Sequence, residues 1–137
     1  MTKIEVQGHD RVWEFFRSAA TRGRLPGTYL FVGPSGIGKR TFAEKLAQAL
    51  LCTTGNPNHL EACGRCPSCV QVVAGTHPDL DRIGLPEGKS ELPIRLFIGE
   101  DEKRMREGMC YNLSAKPFYG RRKVAIVDDV DALNTEG

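Results

Sequence analysis

The run Gly33-Pro-Ser-Gly-Ile-Gly-Lys39 constrains this chain more than any other. It reads G-x-x-x-x-G-K, and its flanks supply the setting that this spacing needs. Upstream, Thr28 to Val32 (Thr-Tyr-Leu-Phe-Val) is β-branched and aromatic, which predicts a buried strand. Downstream, Arg40 to Leu51 carries Phe42, Ala43, Leu46, Ala47 and Leu50 on one helical face. A strand that turns through glycines into a helix can aim successive backbone N–H groups inward, at the positive end of the helix dipole. That arrangement cradles a polyphosphate. Gly33, Pro34, Ser35, Gly36, Ile37 and Gly38 would form the loop, Lys39 would supply a point charge to the outer phosphates, and Arg40 and Thr41 would open the helix. A chance glycine-rich turn is the plain alternative, and the strand and helix in register argue against it.

One position departs from the pattern. The residue after the lysine is normally Ser or Thr, whose hydroxyl holds Mg²⁺. Here it is Arg40, and Thr41 is turned about 100° further around the helix. Phosphate binding by backbone amides survives that change, whereas metal-assisted hydrolysis is put in question. Lys123 to Val127 (Lys-Val-Ala-Ile-Val) predicts a second buried strand, which runs into Asp128-Asp129. An acidic residue at such a strand end faces the phosphates and the Mg²⁺ shell, the role expected of Asp128. Asp129 stands where hydrolysing proteins carry Glu, and its side chain is one methylene short for a general base. A strand that merely ends in a polar turn is the alternative here.

Between these segments the chain changes character. Residues 9 to 22 place Val12, Phe15, Phe16 and Ala19 at the i, i+3, i+4, i+7 spacing of an amphipathic helix, with Asp10 as a candidate cap and Gly23 as a stop. Residues 52 to 99 hold four of the five cysteines and five of the eight prolines, so they read as an insertion with little regular structure of its own. From Glu100 to Leu113, Met105, Met109 and Leu113 recur every four residues and predict a helix that Pro117 and Gly120 end. Strand, glycine loop, helix, insertion, helix, strand is an α/β pattern that calls for a parallel sheet flanked by helices. Two strands are too few for a stable sheet, so the 137 residues read as the front part of a longer domain.

Cys52, Cys63, Cys66 and Cys69 have the spacing C-x10-C-x2-C-x2-C. Four thiolates suit a closed, tetrahedral Zn²⁺ site of the structural kind. An iron–sulfur cluster is the competing assignment, and unliganded thiols the plain one. The fourth cysteine lies upstream, and no downstream Cys-Pro completes a ferredoxin pattern. Such a site would order residues of about 52 to 73. His59 and His77 could stand in for a thiolate, though four cysteines make that unnecessary; Cys110 reads as a small buried hydrophobe. The formal charge is only +2, and four thiolates with Zn²⁺ would take it to zero, so charge offers no nucleic-acid footprint. No apolar run approaches the roughly 18 residues of a membrane span, and Met-Thr-Lys-Ile-Glu lacks a signal-peptide core, which together with the cysteines predicts a reducing, cytoplasmic location.

Taken together, these residues resemble the clamp-loader branch of the AAA+ ATPases. The likeness runs from Gln7-Gly8-His9 through Gly27 to Thr41, into the four cysteines, His77-Pro-Asp-Leu80, and Lys116 to Asn134. A zinc module inserted after the phosphate-loop helix resembles the bacterial DNA polymerase III clamp-loader subunits, gamma/tau and delta-prime. Gly-Lys-Arg in place of Gly-Lys-Thr leans toward the delta-prime type, which often has a degraded ATP site; the active gamma/tau ATPase is the alternative. The resemblance implies ATP as the ligand, with its adenine near Val6 to His9. It implies gamma/tau and delta partners in a hetero-pentamer, and through that complex the sliding clamp and primer-template DNA. Weak or absent ATPase activity of its own is the corresponding expectation. It also implies that residues 1–137 are the N-terminal part of a P-loop nucleotide-binding domain ending after the acidic strand. The sensor-1 strand, arginine finger, lid and collar would then follow residue 137. On that basis Leu30, Val32, Val124 and Ile126 would border a gap in the sheet, and this segment alone would associate or order only in part. A zinc-ribbon nucleic-acid binder with an incidental glycine loop is the reading from another class; the charge balance and the lack of aromatics among the basic residues argue against it.

Overall fold

The computed structural model describes residues 3–6, 8–25, 31, 38–55, 59–83, 109, 112–113, 116–118 and 122–127. They fall into two compact units, residues 1–77 and 78–137.

The first unit is helical. Helix α1 spans Asp10–Thr21, α2 spans Lys39–Leu51 and α3 spans Pro67–Ala74. Asp10 does not cap α1; it is the first helical residue, and His9 precedes it in the left-handed region with no side-chain cap. The stop at Gly23 is as expected. The Gly23 N–H bonds the Ala20 carbonyl at 3.0 Å and the Arg24 N–H bonds the Ala19 carbonyl at 2.9 Å, which satisfies carbonyls that the helix end would leave unpaired.

The inward face of α1 differs from the expected stripe. Phe16 and Ala20 are buried, whereas Val12 and Phe15 are exposed. Trp13, at i−3 from Phe16, takes the inward place because it can stand edge-on to Phe42, with ring centroids 5.7 Å apart. Phe42 on α2 is the hub of this core: Phe16 lies 5.7 Å and Phe31 5.5 Å from its ring. Leu46, Ala49 and Leu60 complete the buried cluster. Such tilted and edge-to-face pairs contribute beyond the area they bury. Lys45 Nζ sits 4.1 Å over the Trp13 ring, closing the cluster with a cation–π contact. Phe31 is the one described residue of the strand expected over Thr28 to Val32.

The expected irregular insertion is not irregular throughout. It contains α3 and also strand β1, Leu80–Ile83. In the second unit β1 pairs in parallel with β2, Val124–Val127, in the register Leu80↔Val124 to Ile83↔Val127. Val124 and Ile126 therefore have a strand neighbour within this chain, supplied by a segment that composition had placed in the insertion. Leu-Asp-Arg-Ile is short and half polar, so periodicity alone could not distinguish it from loop. All four residues of β2 are half-buried instead of buried. Parallel strands need a long crossover, and Met109, Asn112 and Leu113 are helical within it; Met109 is buried and Leu113 exposed. The described residues thus form a small α/β arrangement, with α1, α2 and α3 in the first unit and a short parallel sheet in the second. Among the described residues, no helix is long and apolar enough to cross a membrane.

Candidate metal centre

Three local structures deliver the four cysteines. Cys52 ends α2, where the backbone turns extended after its N–H bonds the Gln48 carbonyl. Cys63-Gly-Arg-Cys66 forms a tight knuckle, in which the N–H groups of Arg65 and Cys66 donate to Cys63 Sγ at 3.3 and 3.2 Å. Gly64 makes that turn possible: its φ is +73°, and a Cβ there would press on the Lys3 backbone at 3.2 Å. Cys66 then caps α3, its sulfur accepting the Cys69 N–H at 3.4 Å, with Pro67 in the first turn where no amide hydrogen is needed. Cys52 Sγ accepts from the N–H groups of Gly55 at 3.1 Å and Cys63 at 3.4 Å.

The four Sγ atoms lie within 4.8 Å of one another. Cys63 and Cys69 are 3.9 Å apart, as are Cys52 and Cys66. A tetrahedron with metal–sulfur bonds of about 2.3 Å has edges of about 3.8 Å, so both opposite edges suit one ion. None of the four is disulfide-bonded. Cys52, Cys66 and Cys69 are buried and Cys63 is half-buried, which makes the site closed. Neither His59 nor His77 belongs to the group.

The environments divide the thiols. A hydrogen bond from the Thr54 side chain, helped by the N–H groups of Arg65 and Cys66, holds Cys63 down at about 5. Burial works against the charged form of Cys66, but bonds from the Cys69 and Thr53 backbone outweigh it and lower the thiol. Burial dominates at Cys69 and pushes it up. A bound cation would reverse that last preference, because a coordinating thiol is deprotonated outright.

Two buried polar groups support the centre, and neither carries a sequence signal. Gln48 on α2 is fully buried; its Oε1 accepts the Ile4 N–H at 2.9 Å and its Nε2 donates to the Cys69 carbonyl at 3.2 Å. Ser68 on α3 donates to the Leu51 carbonyl at 2.6 Å, and His77 Nε2 is 2.8 Å from the same hydroxyl oxygen. In the sequence they look like an ordinary helix glutamine and a linker serine.

Of the expected phosphate-binding residues, Gly38 to Thr41 are described. Gly38 has φ +95° and immediately precedes α2, a backbone that favours glycine. Lys39 opens the helix half-buried. Arg40 and Thr41 are exposed, and Arg40 Nε pairs with Glu44 at 3.5 Å. Gly33, Pro34, Ser35, Gly36, Ile37, Asp128 and Asp129 lie outside the described residues, as does Cys110. In the second unit Asp79, buried just ahead of β1, accepts the Phe118 N–H on Oδ1 at 2.7 Å and the Val124 N–H on its carbonyl at 2.9 Å.

Comparison with known proteins agrees with the resemblance. The chain is 39% identical over 113 residues to DNA polymerase III subunit delta' of Pseudomonas aeruginosa, covering 82% of this chain and 31% of that protein. It is 33% identical over 137 aligned positions to subunit gamma/tau of Mycobacterium bovis, covering 97% of this chain and 21% of the relative. Subunit tau of Escherichia coli is 30% identical over 133 positions, covering 97% and 18% respectively. The chain thus spans under a third of the length of these relatives. The family described as DNA polymerase III, delta subunit, matches residues 8–137, and this chain belongs to that family.

Proposed function

We propose that this chain is the N-terminal part of a AAA+ nucleotide-binding domain in a clamp-loader subunit of the delta-prime type. In this reading it acts in the cytoplasm beside gamma/tau and delta subunits, in a hetero-pentamer that places a sliding clamp on primed DNA. The observation that carries it is the cluster of four sulfurs, within 4.8 Å of one another, attached to the end of the helix that Gly38-Lys39 opens. A phosphate loop and a four-cysteine module sharing one helix is a far narrower combination than either alone.

Cys52, Cys63, Cys66 and Cys69 would hold zinc. Closed, all-sulfur, four-coordinate geometry suits a structural ion, and the five N–H···S bonds suit thiolates. Zinc there would cross-link α2, the knuckle and α3 and so supply folding energy to residues of about 52–73. Gly33 to Thr41 would hold ATP phosphates, with Lys39 reaching the outer ones and Asp128 opposite. With Arg40 where a metal-holding hydroxyl is needed, and Asp129 short of the reach of Glu, the site would bind nucleotide and hydrolyse it weakly or not at all.

The full-length subunit, purified without chelator, should contain one zinc per chain and no iron. Alone, it should bind ATP with hydrolysis near background. The gamma/tau reading is favoured by the alignment of 97% of this chain to those relatives, and robust ATPase activity in the isolated unmutated subunit would decide for it.

A further inference from the structure

We infer that Gln48 couples the metal centre to the N-terminal segment, so that occupancy of the four-cysteine site controls whether residues 3–6 stay seated on the first unit. The inference rests on the zinc reading above and goes beyond it. Two independent contacts join the segment to the centre. Gln48, fully buried on α2, bridges Ile4 N–H to the carbonyl of Cys69, itself one of the four sulfur donors. On the other side the knuckle glycine lies against Lys3 so closely that a Cβ at Gly64 would come within 3.1 Å of the Lys3 Cβ.

The amide of Gln48 is suited to this because it presents an acceptor oxygen and a donor NH2 group at fixed spacing. These two bonds hold only while the Cys69 carbonyl and the Ile4 N–H stay where they are. Ordering of the first turn of α3 by metal fixes that carbonyl. Loss of the metal would let it turn away, breaking the Nε2 bond that helps fix the amide and so weakening the grip on Ile4. Because such coupling is reciprocal, loosening the segment must also weaken metal binding. The segment leads through Val6, which packs on the Phe42 cluster, to His9 at the head of α1, so its seating bears on the core as well.

The test compares the full-length protein with Gln48→Met, which keeps the volume and removes the bonds to Ile4 and Cys69. Hydrogen exchange of residues 3–6 is followed with zinc bound and after removal by a competing chelator, and zinc affinity is measured by the same competition. In the native protein, zinc removal should speed exchange of residues 3–6 roughly tenfold, about the worth of one buried hydrogen bond. In Gln48→Met the segment should exchange fast even with zinc bound, and zinc should bind several-fold more weakly. Protection around Phe16 and Ala20 on α1 reports that the unit is still folded. Unchanged zinc affinity in Gln48→Met overturns the inference, however far the metal-free protein unfolds. Unchanged exchange of residues 3–6 on zinc removal, with α1 still protected, overturns it as well. A protein purified with no zinc at all would instead remove the metal reading on which it stands.

Discussion

His77 Nε2 lies 2.8 Å from the Oγ of Ser68, whose hydroxyl proton is already committed to the Leu51 carbonyl at 2.6 Å. The imidazole must therefore donate: the hydrogen is on Nε2, and Ser68 accepts it. This small relay joins the end of α2 to α3 and to His77, three residues past the end of α3, all buried away from water.

Ser68→Ala should consequently cost about 1–3 kcal/mol, because it removes the buried hydroxyl that both the His77 imidazole and the Leu51 carbonyl bond. Urea unfolding of the full-length protein with zinc present gives the number. A change below about 0.5 kcal/mol would mean that water replaces the hydroxyl at no cost.

Phe42→Ala removes the ring on which Trp13, Phe16 and Phe31 converge, and should cost about 3–5 kcal/mol. Phe15→Ala, one position before Phe16 on α1 but 67% exposed, should stay within about 0.5 kcal/mol in the isolated subunit. Equal losses at both positions would contradict the inward face assigned to α1.

In the second unit, Asp79→Ala leaves the Phe118 N–H without its 2.7 Å carboxylate acceptor and should destabilise by about 1–3 kcal/mol. Asp79→Asn keeps an oxygen at that place and should recover most of the loss. Thermal unfolding of the three proteins side by side distinguishes a hydrogen bond from a requirement for charge.

Proton release on zinc binding should be fewer than four per ion near pH 7, measured by calorimetry in buffers of different ionisation enthalpy. Cys63, held at about 5 against an ordinary 9.0, is already a thiolate and has no proton to lose. In the zinc-free protein its stabilising contribution is full above about pH 9 and is lost as pH falls through about 5. Cys69, pushed up by burial, has the opposite sign: its contribution is full below its ordinary value and is lost as pH rises through the folded one. Release of four protons would show that no thiol is held down.

Much of the site could be read from residue order alone. The two C-x2-C steps at Cys63, Cys66 and Cys69 are local, and a knuckle followed by a helix cap brings those sulfurs together whatever the rest of the chain does. Gly38-Lys39 likewise had to open a helix, and Gly23 had to close one, because backbone sign and missing side chains act within a turn. Val124–Val127 was legible as a strand from its β-branched run.

Distance in sequence is what hid the remainder. Whether Phe15 or Trp13 faces inward depends on where Phe42 stands, which the spacing of Val12, Phe15, Phe16 and Ala19 does not reveal. Leu80–Ile83 is a strand because β2 lies beside it, its own residues being too few and too polar to announce one. Gln48, Ser68 and His77 became structural only when burial removed water and each polar atom had to find a protein partner. Local sequence set caps, turns and sulfur spacing, since those energies are settled within a few residues; the tertiary fold chose which polar groups are buried and which strand pairs, since those energies exist only once distant segments meet.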